Sequence, residues 1–467
     1  MTPFRLASGV LAATLLVSGC AGLLRRGPDE AAASVAPSAT PVPQVATVKA
    51  HPMMPLPGGL DQMLVFNSNS PEIVQTPGVL LSTRPEAPGK AYLNLPMSGT
   101  FQVFSHHIAK DETPGARLLY LGLVAENRGT QPVTLDLLKG VSYLSQPDAL
   151  FKPLEPRIED PEGKVYAGPG DRVATDWIHG RSPLPPRRVT IPAGGSVLIY
   201  SLKVPTDVAI LPPINGRTTQ IELRTSGPVY MSEVARFAEK TATGFVAPTP
   251  ADYYATLHEG TLAGPRDLAP TAFDPNAPVP PGRFVFGRVA GVSRGAYWNG
   301  SLPAPKPNSV VGYPVATTFL NRMGTQQVQS APMVRRYPDT AYQGHGNYAV
   351  TYSLTLPFDL RTETNPRSLA FTLSHPAKVE GTGAGAKLTY LDPPNKAVTF
   401  RGPIRFGWRQ KGGKENVQFI HLVTRHGEAM APFTYFELMP GSEYEFTVSF
   451  LYPADATPPQ VLTIESR

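Results

Sequence analysis

Proline and glycine interrupt the apolar segments of this chain so often that long regular helices are not expected. The 467 residues include 53 prolines and 42 glycines, and both residue types disfavour helix interiors. Between them lie short runs rich in Val, Ile, Thr, Tyr and Phe, which are typical of β-strands. Because hydrophobic residues still make up 41% of the chain, the composition favours a folded all-β protein over a disordered one.

Two parts of the chain follow a similar plan. Residues 192–205 and 440–453 each begin and end with proline, and each is followed by a proline pair, at 212–213 and 458–459, and then by a final strand. Within residues 443–450 apolar and polar residues alternate, as in a strand with one buried face. We therefore expect two Ig-like β-sandwich domains in tandem. Chance recurrence of ordinary strand and turn patterns is the alternative.

A single helix is predicted between these domains. Thr249 is suited to the N-cap, Pro250 to the first turn and Gly260 to the C-terminal end. A proline-rich stretch follows. The predicted first sandwich domain covers residues 53–245, the helix and connection cover residues 246–284, and the second sandwich domain covers residues 285–467.

The N-terminus has the features of an export signal. Arg5 precedes an apolar stretch at residues 6–17, which ends at Val17-Ser18-Gly19-Cys20. This ending resembles the lipobox of bacterial lipoproteins, in which the cysteine is acylated and becomes the mature first residue. Cys20 is the only cysteine of the chain, so it has no intramolecular disulfide partner.

These features predict a signal peptide at residues 1–19, lipidation of Cys20 and a proline- and alanine-rich linker at residues 20–52. The protein is then exported and held in the cell envelope, at the outer membrane or in the periplasm, with the membrane as its first partner. An uncleaved membrane helix over residues 6–24 is the alternative.

The net charge of +6 does not predict nucleic-acid binding, because the basic residues are scattered and not clustered on one segment. No cofactor is predicted, and the oligomeric state cannot be inferred from the sequence. The motif Gly291-Val292-Ser293-Arg294-Gly295 resembles a nucleophile elbow, but no helix start follows it. We interpret it as a hairpin turn and predict no catalytic residue.

Five residues are the best candidates for binding a ligand. His106 and His107 are adjacent, but neighbouring side chains on a strand point to opposite faces; one of them could join His345 across a domain interface. The histidines lack the spacing of common metal motifs, so no metal site is predicted. Trp298 and Trp408 are candidates for stacking against sugar rings.

Six segments carry a resemblance to known proteins. They are residues 55–61 (PLPGGLD), 65–72 (VFNSNSPE), 287–292 (GRVAGV), 337–342 (YPDTAY), 345–348 (HGNY) and 455–463 (DATPPQVLT). They resemble a family of cyanobacterial secreted proteins known as a domain of unknown function. The resemblance implies a cyanobacterial envelope protein and transfers no activity or functional residue.

The sequence thus favours a non-enzymatic, membrane-anchored envelope protein that presents β-sandwich surfaces to another protein or to a wall polymer. The competing hypothesis is a glycan-binding module or a divergent hydrolase of envelope polysaccharide. A hydrolase requires two carboxylates about 5–10 Å apart in a cleft. The acidic residues are dispersed along the sequence, which speaks against that activity.

Overall fold

The computed structural model describes residues 43–208, 212–272, 274, 277–278 and 281–467. The predicted signal peptide, Cys20 and the linker up to residue 42 lie outside the described residues. No helix among the described residues has the length and apolar character that crossing a membrane requires.

The described chain is mostly β-structure, as the sequence predicts. In its N-terminal part the strands are β1 Val45–Ala50, β2 Gly59–Leu60, β3 Leu64–Ser68, β4 Ile73–Val74, β5 Gly78–Ser82, β6 Met97–Lys110, β7 Leu118–Glu126, β8 Val133–Leu144, β9 Arg157–Glu159, β10 Arg187–Ile191, β11 Ser196–Pro205, β12 Ile214–Phe237, β13 Glu239–Thr241 and β14 Gly244–Val246. In its C-terminal part they are β15 Ala290–Arg294, β16 Tyr297–Ser301, β17 Ser309–Val315, β18 Ala331–Arg336, β19 Gln343–Gly344, β20 Thr351–Asp359, β21 Arg367–Ser374, β22 Lys378–Glu380, β23 Lys387–Asp392, β24 Val398–Gln410, β25 Asn416–Arg425, β26 Thr434–Leu438, β27 Glu443–Leu451 and β28 Gln460–Ser466. The helices are α1 Pro169–Ile178 and α2 Pro250–Glu259, with 3₁₀ turns at His345–Asn347 and Gly383–Gly385.

Strand β12 builds the N-terminal core by belonging to two sheets. Its first half pairs with β6 and β8, and its second half pairs with β7 and β5. The pairing with β6 shifts between Thr225 and Val229, which is where the strand passes from one sheet to the other. The core enclosed between the sheets includes Phe101, Leu123 and Ile221.

The C-terminal core lies between two further sheets. The seven-stranded sheet has the order β2-β16-β20-β27-β24-β25-β9, and the four-stranded sheet has the order β17-β28-β21-β26. Their facing side chains form a cluster rich in aromatic residues, including Tyr352, Phe371 and Phe446. The alternation predicted for residues 443–450 is confirmed, because Phe446, Val448 and Phe450 are all buried in this core.

The two parts of the chain share sheets. Strand β3 pairs with β15, β2 pairs with β16, and β9 pairs with β25, so strands on both sides of residues 246–284 are hydrogen-bonded to each other. The described residues also fall into one compact unit. The tandem arrangement of two Ig-like sandwich domains is therefore not confirmed.

The predicted helix is α2, and a second helix was not predicted. Helix α2 has Thr249 as its N-cap, a capping box with Asp252 and a left-handed Gly260 at its end, as the sequence signals indicate. Helix α1 begins at Pro169 after Gly168, whose φ is 97°. The sequence Gly168-Pro169-Gly170 is typical of a turn, which explains why sequence analysis expected only one helix.

Strand β1 ties the N-terminal end of the described chain to the body. It pairs over its whole length with β23, which also pairs with β22. The Gln44 side chain donates hydrogen bonds to the carbonyl of Pro393 and to the Asn395 side chain, at 3.0 and 2.9 Å. The last part of the predicted linker, residues 45–50, is thus a strand of a three-stranded sheet.

Candidate functional site

The two adjacent histidines occupy opposite faces of β6, as predicted. His106 Nδ1 lies 2.8 Å from the Thr218 hydroxyl, while His107 contacts the Ser68 hydroxyl and the Pro71 carbonyl at 3.0 and 2.8 Å. Both side chains are buried. Burial lowers the pKa of His106 to about 3. Each ring is thus held by its own local hydrogen bonds.

The other predicted candidates are also packed into the interior or half-buried. His345 Nε2 donates to the Gly287 carbonyl at 2.8 Å. Trp298 is 5% exposed, and its indole nitrogen donates to the Pro57 carbonyl. The half-buried Trp408 packs on Phe436, with ring centroids 4.9 Å apart. The described residues contain no group of three or more side chains arranged to hold a metal ion.

The Gly291–Gly295 motif is part of a strand and turn. Ser293 lies inside β15 and is 2% exposed, and β16 follows directly after the turn. No helix follows the serine, but the predicted hairpin is wrong: β15 pairs with β3 and β18, whereas β16 pairs with β2 and β20. The turn after β15 thus connects strands of two different sheets. The motif therefore does not present a serine nucleophile to solvent.

A concave surface lies where β20 ends, β27 begins and β24 ends. We call it the groove; its volume is about 700 Å³, within the usual range for ligand pockets. Phe358 and Asp359 pair with Tyr444 and Glu443 across β20 and β27. The third strand, β24, places Arg409 beside Glu445. Lys411 and Gly412, in the turn after β24, complete the wall.

Four ion pairs involve the acidic residues of the groove. Arg361 Nη2 lies 2.7 Å from Asp359 Oδ2 and 3.3 Å from Glu443 Oε1, so one guanidinium bridges two carboxylates. Lys411 Nζ also contacts Glu443, at 3.0 Å, and Arg409 pairs with Glu445 at 2.6 Å. The hydrogen bond from Arg361 lowers the pKa of Asp359 to about 2.

The groove charges are open to solvent. The side chain of Arg361 is 59% exposed, that of Lys411 is 70% exposed and that of Arg409 is 49% exposed. Tyr444 lies on the other face of β27, where it is half-buried against Phe446. The groove therefore offers exposed cationic donors and carboxylate acceptors on the face of the sheet that points away from the core.

A second group of ionisable residues is buried at the start of α1. We call it the α1 cluster; it consists of Asp171, Arg401, His421 and Asp455. The Asp171 carboxylate accepts from the Ala167 amide at 2.8 Å and lies 2.9 and 3.0 Å from His421 Nε2. The side chains of Asp171 and His421 have no exposed surface.

Asp455 is the least satisfied member of the α1 cluster. Its side chain is 7% exposed, and Arg401 Nη1 lies 3.9 Å from one oxygen. Neither oxygen accepts a hydrogen bond from another residue, and Nδ1 of His421 also lacks a partner. Burial raises the pKa of Asp455 to about 6. A Cβ on Gly170 would lie 2.9 Å from its carboxylate, so the helix start fits closely around this group.

The chain matches a protein family over nearly all of its described length. Residues 51–466 match a family described as Protein of unknown function (DUF3370). The chain belongs to the DUF3370 family. The match confirms the resemblance to a domain of unknown function, and a cyanobacterial source and a lipoprotein signal stay predictions. A comparison of this DUF3370 chain with curated proteins gave no match.

Sequence analysis of this DUF3370 chain missed both sites. Asp359 and Glu443 are far apart in the sequence, and only the register of β20 with β27 makes them neighbours. These two acidic residues are dispersed along the sequence but lie close together at the groove. The one available signal was the alternating strand at residues 443–450, which places Glu443 and Glu445 on the side opposite the buried Phe446.

Proposed function

We propose that this DUF3370 protein is a lipid-anchored envelope protein that binds a partner through the groove without catalysis. The observation that carries the proposal is that the N-terminal segment and the groove lie at opposite ends of β24. Gln44, the second described residue, is hydrogen-bonded to residues just before β24, and the groove lies at the other end of this strand. The 13 residues of β24 span about 40 Å at the usual rise of a strand.

This separation supports a tethered binding role. An anchor at Cys20 would enter the body at β1, so the groove would lie at the far end of β24 from the point of attachment. A groove in that position would remain accessible to a polymer or a protein of the envelope. Cys20 at the end of an apolar leader supports the anchor itself.

The first experiment tests the anchor. The wild-type chain and Cys20→Ala are expressed in a bacterial host, and the mass of the mature N-terminus is measured. We expect an acylated Cys20 in the wild type and loss of membrane association in the variant. An unmodified Cys20 would contradict the anchor.

The partner is sought by affinity purification from solubilised envelope. The groove variant Arg409→Glu is compared with Arg188→Glu, a matched control on β10 whose side chain is 66% exposed and paired with Asp136. The proposal predicts that a defined partner is lost with Arg409→Glu alone. Equal recovery with both variants would exclude the groove as the binding surface.

Hydrolysis of a polysaccharide is the second candidate, and one observation favours it. The carboxylates of Asp359 and Glu443 lie on either side of the Arg361 guanidinium, as a pair of acidic residues in a cleft. A glycosidase needs one carboxyl group with a raised pKa as its acid, whereas the pKa of Asp359 is lowered. Asp359 therefore does not fit the role of the general acid, and binding remains our first proposal.

Release of reducing ends from purified envelope polysaccharide tests this second candidate. The wild type is compared with Asp359→Asn and Glu443→Gln. The binding proposal predicts no release above buffer for any of the three proteins. Release by the wild type that both variants abolish would replace the binding role with a hydrolase.

A further inference from the structure

Strand β1 has one unpaired edge. It pairs with β23 from Val45 to Ala50 without a register shift, and it is an end strand of the three-stranded sheet, so no other strand among the described residues pairs with its outer side. All six of its residues are exposed. The backbone groups on the outer side are therefore free to pair with a further strand.

Other end strands of the molecule carry features that oppose edge pairing. Strand β10 has the adjacent, exposed Arg187 and Arg188, and β17 contains Pro314. Charged side chains and proline on an edge both disfavour the addition of a strand. Strand β1 has the sequence VATVKA, with no proline and with Lys49 as its single charged residue. Its edge is therefore less protected than those of β10 and β17.

One face of β1 carries an apolar row. Ala46, Val48 and Ala50 alternate with the residues of β1 that pair with Tyr390 and Leu388, both of which are buried in the body of the protein. Because alternate side chains of a strand point to opposite faces, the three apolar residues lie on the face that points away from the body. Val48, in the middle of the row, is 53% exposed.

A second copy of β1 is complementary to this edge. In an antiparallel pair centred on Val48, this residue faces Val48 of the second copy, and Ala46 faces Ala50, so the apolar row continues across both copies. Lys49 then faces Thr47, and no two like charges are opposed. The same segment serves both copies, as in the two-fold interfaces of most homodimers.

We propose that two copies of this protein associate through β1, antiparallel about Val48, in one six-stranded sheet with the order β22-β23-β1-β1-β23-β22. This inference goes beyond the proposed function and requires neither the groove nor the lipid anchor. A single pair of short strands is a small interface, so the dimer is weak and reversible. Attachment of both copies to one membrane would favour it by raising their effective concentration.

Cysteine substitution tests the register. The full chain carrying Cys20→Ala receives a single cysteine by Val48→Cys or by Val45→Cys, and dimers formed under mild oxidation are measured on gels without reductant. The two Val48 positions face each other, within the roughly 7 Å between Cα atoms that a disulfide requires, whereas the two Val45 positions lie about 20 Å apart along the strands. Val48→Cys should therefore give at least about tenfold more dimer, although Val45 is the more exposed side chain, at 67%.

Two results of this experiment would overturn the proposal. Equal yields of dimer from Val48→Cys and Val45→Cys would indicate random collision. A cross-link from Val48→Cys to a different protein in solubilised envelope, without any homodimer, would show that the edge accepts a strand of that protein and not a second copy.

Sedimentation velocity tests the association without an added cysteine. The sedimentation coefficient of the Cys20→Ala chain should rise with concentration up to about 1 mM, where a dimer with a Kd of that order is substantially formed. Val48→Lys opposes two lysines across the pair and should weaken dimerisation at least about tenfold. Val246→Lys, at a valine of β14 that is also 53% exposed, is the matched control and should not weaken it.

Circular dichroism checks the fold of both lysine variants, which we expect to be retained because the two valines are exposed. A monomer at every concentration would contradict the proposal. Equal weakening by Val48→Lys and Val246→Lys would also contradict it, because the effect would then not be specific to the edge of β1.

Discussion

The groove and the α1 cluster both join acidic and basic side chains from distant segments, but they differ in burial. In the groove Arg361 and Asp359 are 59% and 53% exposed, whereas the side chains of Asp171 and His421 are fully buried. Water competes for the groove charges and keeps their pairing weak. The α1 cluster has no such competitor, so breaking a pair leaves an uncompensated buried group. We therefore expect substitutions in the α1 cluster to change stability more than substitutions in the groove.

The largest expected effect is a loss of stability in mild acid. It is caused by buried histidines and not by the groups of the groove. Burial lowers the pKa of His51 and His345 to about 4 and of His106 and His375 to about 3. Below pH 6.5 the unfolded chain binds protons that the folded chain excludes, so stability falls as the pH falls. Each histidine contributes about 1.4 kcal/mol per pH unit in this window.

Denaturant unfolding at a series of pH values between about 7 and 5 measures this slope. His51→Gln should reduce it by about 1.4 kcal/mol per pH unit, while His258→Gln on the exposed side of α2 should not. The groove carboxylate Asp359, with its pKa lowered from 3.8 to about 2, contributes stability that is lost only at more acidic pH. A flat profile between pH 7 and 5 would contradict the role of the buried histidines.

The next largest effect is expected from breaking the α1 cluster. His421→Ala removes the buried partner of Asp171, and removal of one member of a buried pair typically costs about 3–5 kcal/mol. Urea unfolding near neutral pH measures the change in the free energy of unfolding. Lys411→Ala in the groove is the control and should cost less than about 1 kcal/mol. Equal losses in the two variants would remove the distinction between the regions.

Asp455 should change stability with pH in the opposite sense from the buried histidines. Its pKa is raised from 3.8 to about 6, so its stabilising contribution is present below pH 3.8 and is lost as the pH rises through 6. At about pH 8 the buried carboxylate is ionised at a cost, and Asp455→Asn should stabilise the protein by about 1–3 kcal/mol.

This gain from Asp455→Asn should disappear near pH 4, where the aspartate is protonated. Thermal unfolding of the wild type and the variant at both pH values measures it. Asp392→Asn, an exposed aspartate of β23, should show no such pH-dependent difference. A loss of stability in Asp455→Asn at high pH would mean that the ionised form is stabilised by Arg401.

The sequence predicted the local elements of the fold but not the way they assemble. Strand alternation and helix capping act within a few residues, which is why the buried face of β27 and the bounds of α2 were predicted. The pairing of β3 with β15, or of β9 with β25, depends on contacts between distant segments. No local pattern in the sequence records such pairings.

The candidate sites show the same limit. The separation of His106 and His107 onto opposite faces follows from the geometry of a strand and was predicted. The neighbouring positions of Asp359 and Glu443, and of Asp171 and His421, depend on strand register and on the docking of α1. Helix α1, which carries Asp171, was not predicted, because its Gly-Pro-Gly start is typical of a turn.

The smallest expected effect is that of Arg361→Ala in the groove. The guanidinium bridges Asp359 and Glu443, but solvent screens the repulsion that its removal would leave. Stability should therefore fall by less than about 1 kcal/mol, and by less at high salt than at low salt. The pKa of Asp359, followed by NMR, should rise toward 3.8, because its main hydrogen-bond donor is gone. A stability loss comparable to that of His421→Ala would show that the groove ion pairs contribute strongly to stability. Such pairs could not exchange their partners for a ligand without destabilising the protein.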